Sequence, residues 1–302
     1  MTITAVLLII LSAFLHAGWN LISKKETPSV SYFLLANIFG CMMFLPMVLM
    51  HWQAYCYFST KVWIYAIISG SFLAIYFTAL AKTFQSGDLS IVYPIVRSVP
   101  IIIVPLFSFI IGTGHRISGQ SLIGMLLIIV GCFLLPMAQI KKIRLHDYVN
   151  ATVGFALLAA IGTAGYNIVD DQALRYLRAD SHIIISNFEL TILYLFTEAI
   201  GSFLWLFGIV LITRKNRQDL LIKIRSKKKN TALLGITIYV TYTLVLISMA
   251  YVNNVSYVVA FRQLSIPLGA IAGILFLKES FYRAKVIGVS VLLIGLLLVS
   301  TG

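Results

Sequence analysis

The sequence predicts an all-α integral membrane protein of ten transmembrane helices, arranged as two five-helix repeats of inverted topology. Three observations carry that prediction. Of 302 residues, 60% are hydrophobic and only 11% charged, with a mean hydropathy of +0.97, whereas soluble chains carry about a quarter charged residues. The apolar runs reach the length of about 20 residues that a bilayer-crossing helix needs. Finally, the chain repeats itself.

Ten runs qualify, at 3–22, 30–50, 62–82, 89–111, 119–138, 151–170, 183–212, 232–251, 255–277 and 284–301. The first has no Lys or Arg before Lys24, and its apolar stretch exceeds the roughly 7–15 residues of a signal-peptide core, so it reads as a retained helix. The seventh is long enough to tilt or to lie partly in the interface. Cys41, Cys56 and Cys132 are odd in number and lack C-x-x-C spacing, which indicates neither a disulfide framework nor a metal site.

The repeat has three anchors in the same order. "HAGWNLI" at 16–22 returns as "TAGYNIV" at 163–169, and "GMLLIIVG" at 124–131 as "GVSVLLIG" at 288–295. Between them stand Arg97 and Arg262, each the only cation in the body of its apolar run. The chain therefore divides into halves, 1–140 and 150–302, joined by "QIKKIRLHDYV". Five helices per half is an odd number, so the second half enters the membrane inverted, a duplication characteristic of secondary transporters.

The net charge of +13 is uneven: of 23 Lys and Arg residues, 17 fall in odd-numbered loops and four in even-numbered ones, eight of them between Arg214 and Lys229. The positive-inside rule then makes the odd loops cytoplasmic and both termini non-cytoplasmic, in a plasma or bacterial inner membrane. The basic run is an orientation signal that can also touch anionic lipid. No nucleic-acid recognition motif accompanies the charge, so nucleic acid is not an expected partner.

The tail "LFLKESFYRAKVIGVSVLLIGLLLVS" resembles the signature of EamA-type members of the drug/metabolite transporter superfamily, an apolar helix ending in a glutamate turn before a last helix with spaced glycines. The first half has the same plan in "FIIGTGHRISGQSLIGMLLIIVGCFLL", with His115 where Glu279 stands in the second. The resemblance covers essentially the whole chain. It implies the ten-helix fold and a transporter, and leaves the solute open, since the superfamily moves amino acids, nucleotide sugars, cations, drugs and metabolites.

A charge at bilayer depth costs at least about 2.5–3.5 kcal/mol on insertion scales, so each needs a partner, a wet cavity or a task. Arg97 follows Tyr93 by one turn in a run broken by Pro94, Pro100 and Pro105; Arg262 is followed by Gln263 and Pro267. Repeat symmetry brings both arginines to a central cavity, where the planar guanidinium suits a carboxylate or phosphate; the alternative is that each is locked in an ion pair or caps carbonyls freed by proline. Thr191, Tyr194, Glu198 and Ser202 form one polar stripe with Glu198 near mid-helix; it suits proton coupling or a substrate ammonium, or else pairs with an arginine. Glu189 lies nearer the membrane end, and Asp170 and Asp171 read as a solvated end of the sixth helix. His16 and Asn20 share a face with Trp19 alongside, matched by Thr163, Asn167 and Tyr166. These are either interhelical hydrogen-bond glue or, for His16, a group that titrates near neutral pH. Tyrosines 76, 93, 239, 242 and 251 can line a cavity or pack.

These residues predict secondary-active transport by alternating access of a small polar solute, anionic or zwitterionic. Arg97, Arg262, Tyr93, Gln263, His16, Trp19, Asn20, Tyr166, Asn167, Tyr76 and Tyr242 would bind it, and Glu198 or His16 would couple protons. No Walker motif points to ATP, no catalytic constellation points to an enzyme, and no cofactor is expected. The partners are the solute and membrane lipids, with a homodimer left open. A flippase for a lipid-linked sugar phosphate and a lipid-modifying membrane enzyme are the alternatives.

Overall fold

The computed structural model describes residues 1–25, 28–86, 89–135, 151–226, 228–277 and 282–302; side chains are not assigned at 19–25, 84–86, 89–93, 226, 228 and 272–277. Twelve α-helices form among the described residues: α1 Ile3–Lys25, α2 Val30–Met50, α3 Thr60–Ser86, α4 Leu89–Ile110, α5 Gly119–Leu134, α6 Ala151–Arg178, α7 Asn187–Ile212, α8 Arg214–Ser226, α9 Lys228–Ser248, α10 Val255–Phe261, α11 Ser265–Leu277 and α12 Arg283–Thr301. Six helices are long and apolar enough to cross a membrane, and four shorter apolar segments accompany them. Large apolar side chains such as Leu7, Leu11 and Phe14 on α1, Leu204 and Leu211 on α7 and Leu297 on α12 point outward, as a lipid-facing surface requires. The chain is a multi-pass membrane protein.

Local chemistry explains the helix ends. Ser29, Ser118 and Ser186 cap α2, α5 and α7, and Ser186 forms a reciprocal capping box with Glu189, satisfying amides that have no partner inside the helix. Glu189 also meets His51 at 3.3 Å. α4 closes with Gly112 at φ +77°: Gly112 N–H donates to Phe109 O at 3.2 Å and Thr113 N–H to Ser108 O at 2.8 Å. That is a Schellman closure, which needs the left-handed residue that glycine supplies.

Three segments depart from the sequence expectation. The sixth helix runs eight residues past Asp170, to Arg178, because Asp171 pairs with Arg175 one turn on at 2.8 Å and sustains another two turns. The basic connection after α7 is itself a helix, α8, anchored where Ser29 Oγ meets Asp219 at 2.5 Å and Lys223 lies over the Tyr32 ring. The ninth run is broken: α10 gives way to a 3₁₀ turn at Arg262–Leu264 before α11. Pro267 has no N–H to return to the Gln263 carbonyl, so the chain tightens ahead of it.

The helices of residues 3–134 pack against those of residues 151–301. α3 lies on α6 and α1 on α9; α4 lies on α6 and α1 on α11; α2 crosses α7 and α9, while α3 crosses α7; and α5 packs along α12. The repeated glycines explain the last contact. A Cβ on Gly124 or Gly295 would sit 2.6 Å from the other's carbonyl oxygen, and one on Gly131 would meet Gly288 O at 2.8 Å. Gly165 of "TAGYNIV" likewise makes room for the Phe72 ring. Gly18 of "HAGWNLI" does not follow suit, since a Cβ there meets nothing within 4 Å; close packing is the role of only one of the two motif glycines. Gly295→Ala is therefore expected to destabilise the protein by about 1–3 kcal/mol through overpacking against backbone. Gly208→Ala, with open space around it, serves as the near-neutral control in thermal unfolding.

Candidate functional site

His16 of α1, Arg97 of α4, Tyr166 of α6 and Arg262 of the 3₁₀ turn converge on one central chamber. Two small cavities, of about 20 and 40 Å³, share His16, Tyr76, Tyr166 and Arg262 as walls; the first adds Arg97, Thr163 and Gln263, the second Tyr239, Thr241 and Tyr242. A water needs roughly 10–15 Å³ of such space, so the chamber as it stands holds a few waters and no metabolite.

The guanidinium of Arg97 meets His16 Nε2 at 2.6 Å. Arginine can only donate, so Nε2 accepts and the ring proton sits on Nδ1. Arg262 donates to Asn167 Oδ1 at 3.1 Å and lies 5.7 Å from the centroid of the Tyr242 ring, while Asn167 Nδ2 holds the Thr163 carbonyl at 2.7 Å. Tyr76, Tyr166 and Tyr242 form a run of edge-to-face rings. Gln263 is buried; its amide donates to Val259 O at 3.1 Å and its Oε1 has no partner. Arg262 has no ion pair with a carboxylate among the described residues. Of the expected binding residues, His16, Tyr76, Arg97, Tyr166, Tyr242, Arg262 and Gln263 line the chamber and Asn167 supports it from behind. The side chains of Trp19, Asn20 and Tyr93 lie outside the described residues, as does Glu279.

The acids form a second layer. Asp170 is fully buried and Asp171 is 4% exposed, which corrects the expectation of a solvated helix end: the helix continues past both, and Asp170 turns into the bundle. Tyr194 O–H donates to Asp170 Oδ1 at 2.7 Å, and Tyr242 O–H donates to Oδ2. Ser69 O–H donates to Glu198 Oε1 at 3.0 Å, tying α3 to α7. Glu198 is fully buried with Oε2 unpartnered. Its neighbours are Ser69 and Asp170 rather than either arginine. Tyr239 O–H donates to Asn37 Oδ1 at 2.6 Å, and Asn37 reaches the Ala199 carbonyl, a structural clasp of α9, α2 and α7.

Residues 3–137 match the EamA-like transporter family, part of the drug/metabolite transporter superfamily. A solved crystal structure, 15% identical, superposes on this EamA-like chain with a TM-score of 0.67 over 100% of its length and 98% of the other's, which shows a shared fold. No curated protein matches. The match over residues 3–137 and the apolar helices are what the chain shares with membrane transporters of the drug/metabolite type.

Sequence reasoning missed Ser69 and the buried role of Asp170. The first carries no signal, being one serine in an apolar helix. The second had one: Asp170 follows Asn167 by three residues and Asp171 precedes Arg175 by four, the spacing of one helical turn.

Proposed function

We propose that the chain is a secondary transporter working by alternating access, with ten membrane helices in two five-helix halves of opposite orientation, 1–140 and 150–302. Its solute is a small polar metabolite, anionic or zwitterionic. Six long spans and four shorter apolar segments support the helix count, with α8 at the surface. Reciprocal packing of α1, α3, α6 and α9, and the crosswise glycines of α5 and α12, support the inversion. The preponderance of 17 cations over four in alternate loops supports non-cytoplasmic termini.

The observation that carries the solute class is the meeting of two arginines, Arg97 and Arg262, at one chamber where the halves touch. Two guanidinium groups in a low-dielectric site bind an anionic group strongly because they are already desolvated and oriented. The chamber is nearly closed, so admitting a solute requires one half to move against the other. His16 contributes its Nε2 acceptor to Arg97; a proton on that nitrogen would break the contact and free Arg97 for the anion. Glu198, buried and held by Ser69, is the second proton-coupling group.

The test is counterflow in proteoliposomes, using a solute found by thermal-shift screening of a metabolite library. Saturable exchange supports the reading; a stabilising solute with no exchange overturns it. In pH-jump uptake, Glu198→Gln is expected to retain transport and lose its dependence on a proton gradient, and an unchanged dependence would remove Glu198 from coupling.

A further inference from the structure

A second cavity lies apart from the central chamber. A vestibule of about 450 Å³ opens at the end of the bundle that carries the 111–118 and 252–254 connections, walled by α3, α4, α6 and the start of α10. It shares no lining residue with the chamber. Its size falls within the roughly 300–1,000 Å³ of small-molecule sites.

Its polar groups are of both signs. Asp171 lines it; Oδ2 takes Arg175 Nε at 2.8 Å, and Oδ1 is buried with no hydrogen-bond partner among the described residues. A buried acceptor left unmade costs about 1–3 kcal/mol, so this oxygen is in want of a donor. Arg116 lies on the same wall, exposed and within electrostatic range of Asp171. Arg175 is held against the turn before α10, its Nη2 lying 3.5 Å and 3.4 Å from the carbonyls of Val252 and Asn253.

The vestibule also has a way inward. Arg175, Asp171, Asn167 and Thr163 follow one another at four-residue intervals on α6, a polar stripe about 18 Å long at 1.5 Å per residue. Its outer end lines the vestibule, Asn167 carries Arg262, and Thr163 lines the chamber.

We infer that the vestibule is an outer binding site for a small zwitterionic solute, with Asp171 Oδ1 accepting from the ammonium and Arg116 taking the carboxylate. A solute held there has its charges satisfied before the halves part, and the α6 stripe offers polar contacts one turn at a time on the way to Arg262. The net positive charge of the site favours the anionic end, and the unpartnered oxygen selects molecules that also carry a donor cation. The inference rests on the transporter reading for its purpose, but its test needs no transport.

The test reads occupancy of the vestibule directly. The Asn253→Cys variant, in a Cys41→Ser, Cys56→Ser background, places a thiol at the mouth, and its alkylation by a charged maleimide is timed with three probes of matched length: 4-aminobutyrate, butyrate and butylamine. With the three probes at one common subsaturating concentration, only 4-aminobutyrate is expected to slow alkylation strongly, by about tenfold. Asp171→Asn should reduce its protection to that of butyrate, and Arg116→Gln to that of butylamine. Equal protection by all three probes, or protection by 4-aminobutyrate unchanged in Arg116→Gln, overturns the inference. Because Arg116 is exposed, that variant tests the site even if Asp171→Asn fails to fold. Arg262→Gln should leave vestibule protection intact, so failed transport with retained protection would count against the chamber and not against this site.

Discussion

Arg262→Gln and Arg97→Gln are each expected to lower counterflow by about 10- to 150-fold, with the protein still folded. A charge-assisted hydrogen bond to an anion is worth roughly 1.5–3 kcal/mol, and each 1.4 kcal/mol is about tenfold in affinity. Glutamine keeps the polar reach of the side chain, so Arg262→Gln can still donate to Asn167 Oδ1, the contact that links the 3₁₀ turn to α6. What it loses is the second donor and the charge. Lysine should not rescue either site, because an ammonium is a point charge with no planar fork, and because Arg262 also faces the Tyr242 ring. Arg97→Gln puts a shorter, uncharged donor opposite His16 Nε2, so its pH profile should change as well as its rate. Uptake unchanged in both variants would remove the arginines from the solute site.

The largest stability effect is expected at Asp170. Asp170→Ala strands the hydroxyls of Tyr194 and Tyr242, both buried and both donating to its carboxyl. At about 1–3 kcal/mol for each donor left unmade, the loss is about 2–6 kcal/mol, a large share of the roughly 5–15 kcal/mol that holds a typical protein folded. Asp170→Asn retains one acceptor oxygen and should lose less. The sign reverses for neither variant, since no cation among the described residues is left unpaired by removing this acid. Thermal unfolding in detergent reads both, and Asp170→Ala within 1 kcal/mol of the parent would show that the two tyrosines find other acceptors.

Composition and periodicity made the membrane helices legible, because a bilayer imposes length and apolarity on each one independently of its neighbours. α2 begins and ends at the expected residues, and Arg97 and Arg262 stood out as lone cations. Less was legible where the outcome depends on contacts between distant residues. His16 and Arg97 are 81 residues apart and nothing in either helix announces the other. Asp170 looked like a terminus because two adjacent acids suit an interface, yet Arg175 and Arg178 carry the helix on and two tyrosines from α7 and α9 satisfy the buried carboxyl. α8 read as a charged loop, although its Leu220, Leu221, Ile222 and Ile224 lie among cations in an amphipathic segment that packs on α2 and α7. In the "TAGYNIV" echo of "HAGWNLI", Tyr166 lines the chamber and Asn167 holds Arg262, while the glycines of the two motifs meet different surroundings.

The central claim is that the solute is held by Arg97 and Arg262 between the two halves. It is tested most directly by ligand stabilisation of the purified protein at a solute concentration about 100 times the dissociation constant of the unsubstituted chain, where binding adds about 2.7 kcal/mol. The account predicts that this stabilisation vanishes in the Arg97→Gln, Arg262→Gln double variant. Stabilisation of the same size in the double variant would contradict it.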